Sequence, residues 1–150
     1  MKRLIVILAL AAVLLPGTLA SQDNDFGLGI ILGEPTGISF KKWVGNTTAI
    51  DGAAAWSFSN NPSLHLHVDY LFHNFSVFNV KKGRLPLYYG IGVRFKAGRD
   101  NWLGVRIPVG ICYMFEKAPL DIFYEIGPVL DLAPDVRLRF TSSIGARYYF

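Results

Sequence analysis

The fold is decided by one stretch in which side-chain character strictly alternates, Leu64-His65-Leu66-His67-Val68-Asp69-Tyr70-Leu71-Phe72. Every second residue from Leu64 to Phe72 is apolar, and three of the four positions between them are His65, His67 and Asp69. A helix would scatter both sets around its circumference, whereas a β-strand separates them onto opposite faces. The stretch therefore predicts a strand with one apolar and one polar face.

The same alternation recurs in seven further segments, at 26–32, 38–43, 48–58, 87–95, 103–115, 120–132 and 136–150. Turn-forming residues separate most of them, as in Gly45-Asn46-Thr47 and Ala133-Pro134-Asp135. One connection, from His73 to Pro86, is longer, and its aromatic residues indicate packing against another part of the chain. Eight strands joined mainly by short turns predict an antiparallel up-and-down meander.

The N-terminal residues have the features of an export signal. Basic Lys2 and Arg3 precede an unbroken apolar run over 4–15, and small residues lead to a cleavage site after Ala20. We expect a Sec-type signal peptide at 1–20 and one barrel domain at 21–150. The alternative, a membrane anchor, would need a longer apolar run of about 18 residues or more.

Charge and cysteine content exclude several classes of protein. The chain has 15 Lys+Arg and 11 Asp+Glu, so removing Lys2 and Arg3 leaves 13 against 11, a net charge of +2. That balance argues against a nucleic-acid partner. Cys112 is the only cysteine, so no internal disulfide can form, and we expect this thiol to fill space inside the fold. A closed hydrogen-bond ladder would supply stability by another route.

Alternation alone does not say which face meets solvent. A soluble lipocalin-like barrel buries its apolar face, and a membrane barrel does the reverse. The polar face here is also rich in glycine, which suggests a narrow interior where glycines leave room for long arginines. Its charges come in both signs, as enclosed charges must: Arg94, Arg106, Arg139 and Arg147 against Asp51, Asp69, Asp121 and Glu125. An ordinary solvated face of mixed charge is the competing interpretation.

Aromatic residues favour the membrane interpretation, because they cluster near strand ends on the apolar face, as interfacial girdles do. They are Trp56, Phe58, Tyr70, Phe72, Phe95, Tyr113, Phe115, Tyr148 and Phe150. We therefore predict an all-β, eight-stranded antiparallel up-and-down transmembrane β-barrel in the bacterial outer membrane, preceded by a cleaved signal peptide.

The C-terminal run Ile144–Phe150 looks like the signal read by the outer-membrane barrel assembly machinery, with Tyr148 and Phe150 as its apolar-face positions. The mature chain resembles a family of small bacterial outer-membrane β-barrel proteins of unknown function, similar in architecture to the OmpA transmembrane domain and OmpX. The resemblance is carried by segments 32–37, 64–73, 85–92, 104–110, 118–123 and 144–150. It implies fold and location rather than an activity.

No pattern points strongly to chemistry. His65, His67 and Asp69 have a spacing that could hold a metal, but no fourth ligand is evident, so we expect these histidines to be part of a polar lumen. A lipid A deacylase would use a histidine, serine and acid set, yet the His-x-Ser motif is absent. We expect no enzyme activity, no metal and no cofactor.

The leading hypothesis is a monomeric structural or interaction protein with a plugged, charge-paired lumen, surrounded by outer-membrane lipid. The alternatives are a soluble periplasmic lipocalin-like ligand-binding barrel and a lipid A-modifying outer-membrane enzyme. If both termini are periplasmic, the long connection is periplasmic too and the outer loops are short. That arrangement disfavours an adhesin and suggests contact of 74–85 with lipid, a periplasmic partner or the cell wall.

Overall fold

The computed structural model describes residues 25–33, 36–58 and 60–150. The predicted signal peptide lies outside these residues. The elements within them are β1 (Phe26–Gly33), β2 (Thr36–Trp43), β3 (Thr48–Ser57), β4 (Ser63–Asn74), β5 (Leu87–Ala97), β6 (Trp102–Arg106), β7 (Val109–Met114), β8 (Leu120–Ala133) and β9 (Arg137–Tyr149). None of the described residues forms a helix long and apolar enough to cross a membrane.

The strands form a closed ring. Apart from β6 and β7, consecutive strands pair antiparallel, and β1 pairs with β9, with Leu28 opposite Tyr148. β6 and β7 lie end to end between β5 and β8 and pair with both. Closure removes the exposed sheet edges that would otherwise bind other chains. The predicted eight-stranded up-and-down barrel is confirmed, with one of its eight strands divided into β6 and β7.

The break between β6 and β7 has a local cause. Pro108 has no N–H, so it cannot donate to the ladder, and Pro128 of β8, which lies opposite Ile107, lacks its N–H as well. Carbonyls bridge the gap, because Gly90 N–H donates to Pro108 O and Ile107 N–H donates to Pro128 O, each at 3.0 Å. Burial still alternates from Trp102 to Cys112, so the inward and outward faces continue through the break.

The distribution of polarity is the reverse of that in a soluble barrel. On the outside, apolar side chains such as Ile91 and Val93 are 58% and 56% exposed. Inside, the carboxylates of Asp121 and Asp131 are fully buried. Charge is thus enclosed and hydrocarbon faces outward around the ring, which is the pattern of barrels that have lipid as their solvent.

The lumenal glycines have a different use from the one expected from the sequence. Several of them lie against rings or carboxylates rather than arginine side chains, and others lie against backbone. A Cβ on Gly145 would lie 2.3 Å from the Phe123 ring, one on Gly27 would lie 2.8 Å from the Tyr149 ring, and one on Gly92 would lie 1.8 Å from Asp69 Oδ1. The expectation failed because alternation gives the face of a residue but not its neighbour across the lumen.

The long connection between β4 and β5 packs on the barrel, as its aromatic content predicted. Arg84 forms a bridge with Met114, and its guanidinium lies 3.9 Å from the centroid of the Phe75 ring. The Tyr113 hydroxyl donates to the carbonyl of Lys82 at 3.0 Å. This connection lies at the same end of the barrel as Asp25 and Phe150, which we call the base; the opposite end is the mouth.

Candidate functional site: the charged lumen

The lumen near the base is organised by Arg147 on β9, which is 2% exposed. Its guanidinium donates to Asp51 at 3.2 Å, to Asp121 at 3.5 Å and to the Ser39 hydroxyl at 3.0 Å. The same group lies 3.9 Å from the centroid of the Phe123 ring. These residues come from four strands, so one cation ties β2, β3, β8 and β9 together across the interior. We call this set the base layer.

Two further side chains complete the packing at this end. The Tyr149 hydroxyl donates to Asp121. Lys41, which is fully buried, has its Nζ 2.7 Å from His73 Nε2 and 4.4 Å from the centroid of the Trp43 ring. Lys41 forms no ion pair with a carboxylate in the described residues, so histidine and an aromatic face take that role.

Halfway up the lumen, Arg106 joins two acids. It lies 3.0 Å from Asp69 and 2.7 Å from Glu125, and His67 Nδ1 lies 3.1 Å from the other oxygen of Asp69. Potential ligand atoms of Asp51, His67 and Asp69 all lie within 4.8 Å of one another. Those carboxylates already have guanidinium partners in Arg147 and Arg106, so little negative charge is left to attract a cation.

At the mouth, the buried ion pairs centre on Asp131. The guanidinium of Arg94 donates to both oxygens of Asp131, at 2.7 and 2.9 Å, and Arg139 lies 2.8 Å from the same carboxylate. Arg139 also lies 5.1 Å from the centroid of the Trp102 ring, which Arg137 approaches to 4.9 Å. One buried acid therefore serves two arginines.

A cavity of about 230 Å³ lies beside these groups and extends toward the mouth. Its lining combines cations and histidines with small and hydroxyl side chains: Ile31, Ala53, Ala55, His65, His67, Arg94, Lys96, Arg106, Arg139, Phe140, Thr141, Ser142 and Ser143. The structure thus brings together six of the basic or imidazole side chains of the lumen around one open space.

The structure puts the ten lumenal residues predicted from sequence on the inner face. Arg139, His65 and His67 are partly exposed and the rest are buried. His65 accepts or donates a hydrogen bond with Ser63 at 2.9 Å. Sequence reasoning left Lys41, Asp131 and Tyr149 out of the candidate set. Lys41 and Asp131 stood on the polar face of their strands, so phase alone could have found them. Tyr149 was hidden because its neighbours are aromatic too.

Tyr148 and Phe150, the predicted assembly signal, lie on the outer face at the base. Their rings pack edge to face, with centroids 5.2 Å apart. Other outward aromatic pairs at this end are Tyr70 with Phe72, Phe72 with Tyr89, and Tyr113 with Phe115. A belt of aromatic side chains therefore surrounds the base.

Known structures share this fold. The chain is similar to the N-terminal β-barrel domain of Pseudomonas aeruginosa OprF, with a TM-score of 0.61, 11% identity, and 85% of this chain and 98% of that domain covered. It is also similar to neisserial surface protein A, with a TM-score of 0.52, 11% identity, and 83% and 93% covered. No family model and no curated protein sequence matches the chain. The fold is that of the small outer-membrane β-barrels, as the resemblance noted from the sequence implied.

Proposed function

We propose that the protein is an integral outer-membrane β-barrel with a structural or interaction role and a lumen plugged by paired charges. The observation that carries the proposal is the inverted distribution of polarity, with buried Asp121 and Asp131 inside and half-exposed Ile91 and Val93 outside. In water, such an outer face would be a large exposed apolar surface that promotes aggregation. In lipid it is the favourable one, because the closed ladder leaves few backbone groups unpaired.

Closure of the lumen follows from how the base is filled. Leu71, Tyr88, Cys112 and Phe123 pack together there and are almost completely buried. Arg147 and its carboxylates fill the space beside them. An eight-stranded barrel has an interior just wide enough for side chains, so this filling supports a plug rather than a wide channel.

The partners we propose are lipid around the barrel and the barrel assembly machinery during biogenesis, with Tyr148 and Phe150 as the residues read. We propose that the barrel is a monomer, exported by the signal peptide at 1–20, with its base in the periplasm. The packed connection at 75–86 would then be presented to a periplasmic partner. Protease accessibility of that connection in intact cells tests the orientation: protection there supports it, and cleavage opposes it.

Fractionation of cells tests the membrane location. We expect the protein in the outer-membrane fraction, released only by detergent, with a migration on gels that changes when the sample is heated. Recovery from the soluble periplasmic fraction without detergent would instead support the lipocalin-like alternative.

Substitution on the outer face gives a sharper test. Val93→Arg would place a charge in the middle of β5 facing lipid, which destabilises membrane barrels by about 2–4 kcal/mol near the bilayer centre. Val80→Arg, in the connection outside the strands, is the matched control and should change little. The measurement is urea unfolding in phospholipid vesicles. Equal stability of the two variants would count against a lipid-facing Val93.

We propose a non-enzymatic role. The lumenal histidines His65 and His67 face the interior, away from the lipid-facing surface where a lipid A-modifying site would be needed. Mass spectrometry of lipid A from cells with and without the protein tests this. A changed acylation pattern would revive the enzyme alternative.

A further inference from the structure

We propose that the cavity at the mouth is a binding site for a phosphate-class anion, either free phosphate or the phosphate of a lipid headgroup. This inference does not depend on the proposed structural role, because it rests on the cavity and its lining alone. Arg94, Lys96 and Arg139 are the residues expected to bind the anion.

The side chains that line the cavity carry positive charge. Four cations line the cavity, namely Arg94, Lys96, Arg106 and Arg139, together with His65 and His67. None of the lining residues is acidic. The acids that pair with these arginines, Asp131, Asp69 and Glu125, are buried behind them. An entering ligand would therefore meet donors and positive charge first.

Beside the cavity, cations outnumber the carboxylates that pair with them. Arg94 and Arg139 share one ion-paired carboxylate, Asp131, and Lys96 also lines the cavity. Lys96 has no ion pair with any carboxylate in the part of the chain that the structure describes. Arg94 is 6% exposed, and its Nε has no hydrogen-bond partner there. Enclosed cations without enough acid are the condition in which a bound anion contributes most.

The volume of the cavity also suits a small anion. A water molecule occupies about 30 Å³ in the liquid, and drug-sized ligands take pockets of roughly 300–1,000 Å³. The cavity of about 230 Å³ lies between these limits. It fits one tetrahedral anion with some of its water, not a whole lipid or a large organic ligand.

The space exists because β3 contributes only methyl groups. Ala53 and Ala55 are buried and line the cavity. On the other side, Thr141 and Ser143 of β9 line the cavity from its inner face; the Thr141 hydroxyl donates to the carbonyl of Gly127 at 3.3 Å, and Ser143 supplies a second hydroxyl. The lining also includes Phe140 and Ser142 from the outer face of β9, so the cavity reaches the surface along that strand. A phosphate could enter from the mouth or, attached to a lipid, from the side.

A metal ion is the competing occupant, because His67 lies beside Asp51 and Asp69. Those two carboxylates are bound by Arg147 and Arg106, and the route to them passes Lys96, Arg94 and Arg139. Cations are repelled along that route and anions are attracted. The electrostatics therefore favour the anion.

Calorimetric titration of the folded protein in detergent with inorganic phosphate, at fixed chloride, tests the site. We expect saturable binding that Lys96→Gln weakens by roughly tenfold, the size of one lost charge-assisted hydrogen bond. Lys96→Arg should retain it. Lys81→Gln removes the same charge from the connection at the base and should bind like the wild type.

Filling the cavity is an independent arm. Ala55→Leu places three more carbons in the open space without changing any charge, and it should abolish phosphate binding while leaving the heat-modifiable gel migration intact. Absence of binding to the wild type, or equal binding by Lys96→Gln and Lys81→Gln, would overturn the proposal.

The source of the phosphate is separated by competition. Vesicles of phosphatidylcholine with and without phosphatidic acid are added to the protein before the titration. If only the phosphatidic acid vesicles weaken phosphate binding, the site takes a lipid headgroup; if neither does, it takes the free anion. Titration with zinc chloride in place of phosphate covers the metal, and tight zinc binding with no phosphate binding would assign the cavity to a cation.

Discussion

At the base of the lumen one arginine binds two carboxylates, and at the mouth two arginines share one. Arg147 is held by Asp51 and Asp121 in a fully packed layer. Arg94 and Arg139 share Asp131 beside an open cavity that Lys96 also lines. The same residue types therefore close one end and leave the other electropositive.

Stability and binding should depend on different ends of the lumen. Charges packed without space must be neutralised by neighbours, since water cannot reach them, and removing one partner is expensive. Arg139, whose side chain is 35% exposed beside the cavity, can be hydrated, so losing its partner matters less. We therefore expect the base to determine stability and the mouth to tolerate change.

The largest effect should come from Arg147→Ala. It would leave Asp51 and Asp121 buried without their cation, and the loss of a buried partner typically destabilises by about 3–5 kcal/mol. Urea unfolding in vesicles measures it. Arg99→Ala, at an exposed position in the turn after β5, is the control. If Arg147→Ala is as stable to urea as Arg99→Ala, the base does not determine stability.

Two substitutions that add side-chain volume test how tightly each end is packed. Gly145→Ala would drive a methyl group into the Phe123 ring, which also contacts the Arg147 guanidinium, so we expect a loss of about 1–3 kcal/mol. Ala55→Leu adds more atoms but enters the mouth cavity, so we expect a change within about 1 kcal/mol. The reverse ranking in the same unfolding assay would mean that the mouth is the tightly packed end.

Asp131→Asn tests the charge of the mouth. The amide can still accept from Arg94, so we expect a loss of only about 1–2 kcal/mol, in the range of one hydrogen bond to a charged group. Because a competing carboxylate is removed, phosphate should bind about tenfold more tightly. Calorimetry on the same sample measures this gain, and weaker binding would contradict an anion site.

The smallest effect should come from Arg139→Ala. Its side chain is 35% exposed, and Asp131 keeps both bonds to Arg94, so we expect a stability loss below about 1 kcal/mol. A loss comparable to that of Arg147→Ala would show that the mouth network is as rigid as the base.

Much of this fold is readable from period-two alternation. The phase of Leu64–Phe72 and its seven counterparts gave the ring, its neighbours and its inner face, because each barrel strand must point alternate residues to lipid and lumen. The interruption at Pro108 was also visible in the sequence, since proline cannot donate to a ladder. Its consequence for the strand boundaries depended on Pro128, which lies opposite Ile107, and only the register between the strands reveals that position.

The pairing of lumenal charges was less accessible. Phase put Arg94 and Asp131 on inner faces, but their contact depends on the stagger of β5 against β8 across the barrel. The cavity was invisible for the same reason: two alanines in β3 form a space only when Arg94 and Arg139 turn toward Asp131. Alternation specifies the face of a side chain, while height along the axis decides its partner.

The position of Arg147 and Tyr149 on the last strand has a consequence for the order of folding. β9 is the last of these nine strands in chain order, and it supplies both the ladder that joins β1 and the groups that bind Asp121. Until β9 docks, Asp51 and Asp121 lack their arginine. Ring closure and charge compensation are therefore a single event, and an incomplete barrel retains unpaired acids that favour water over lipid.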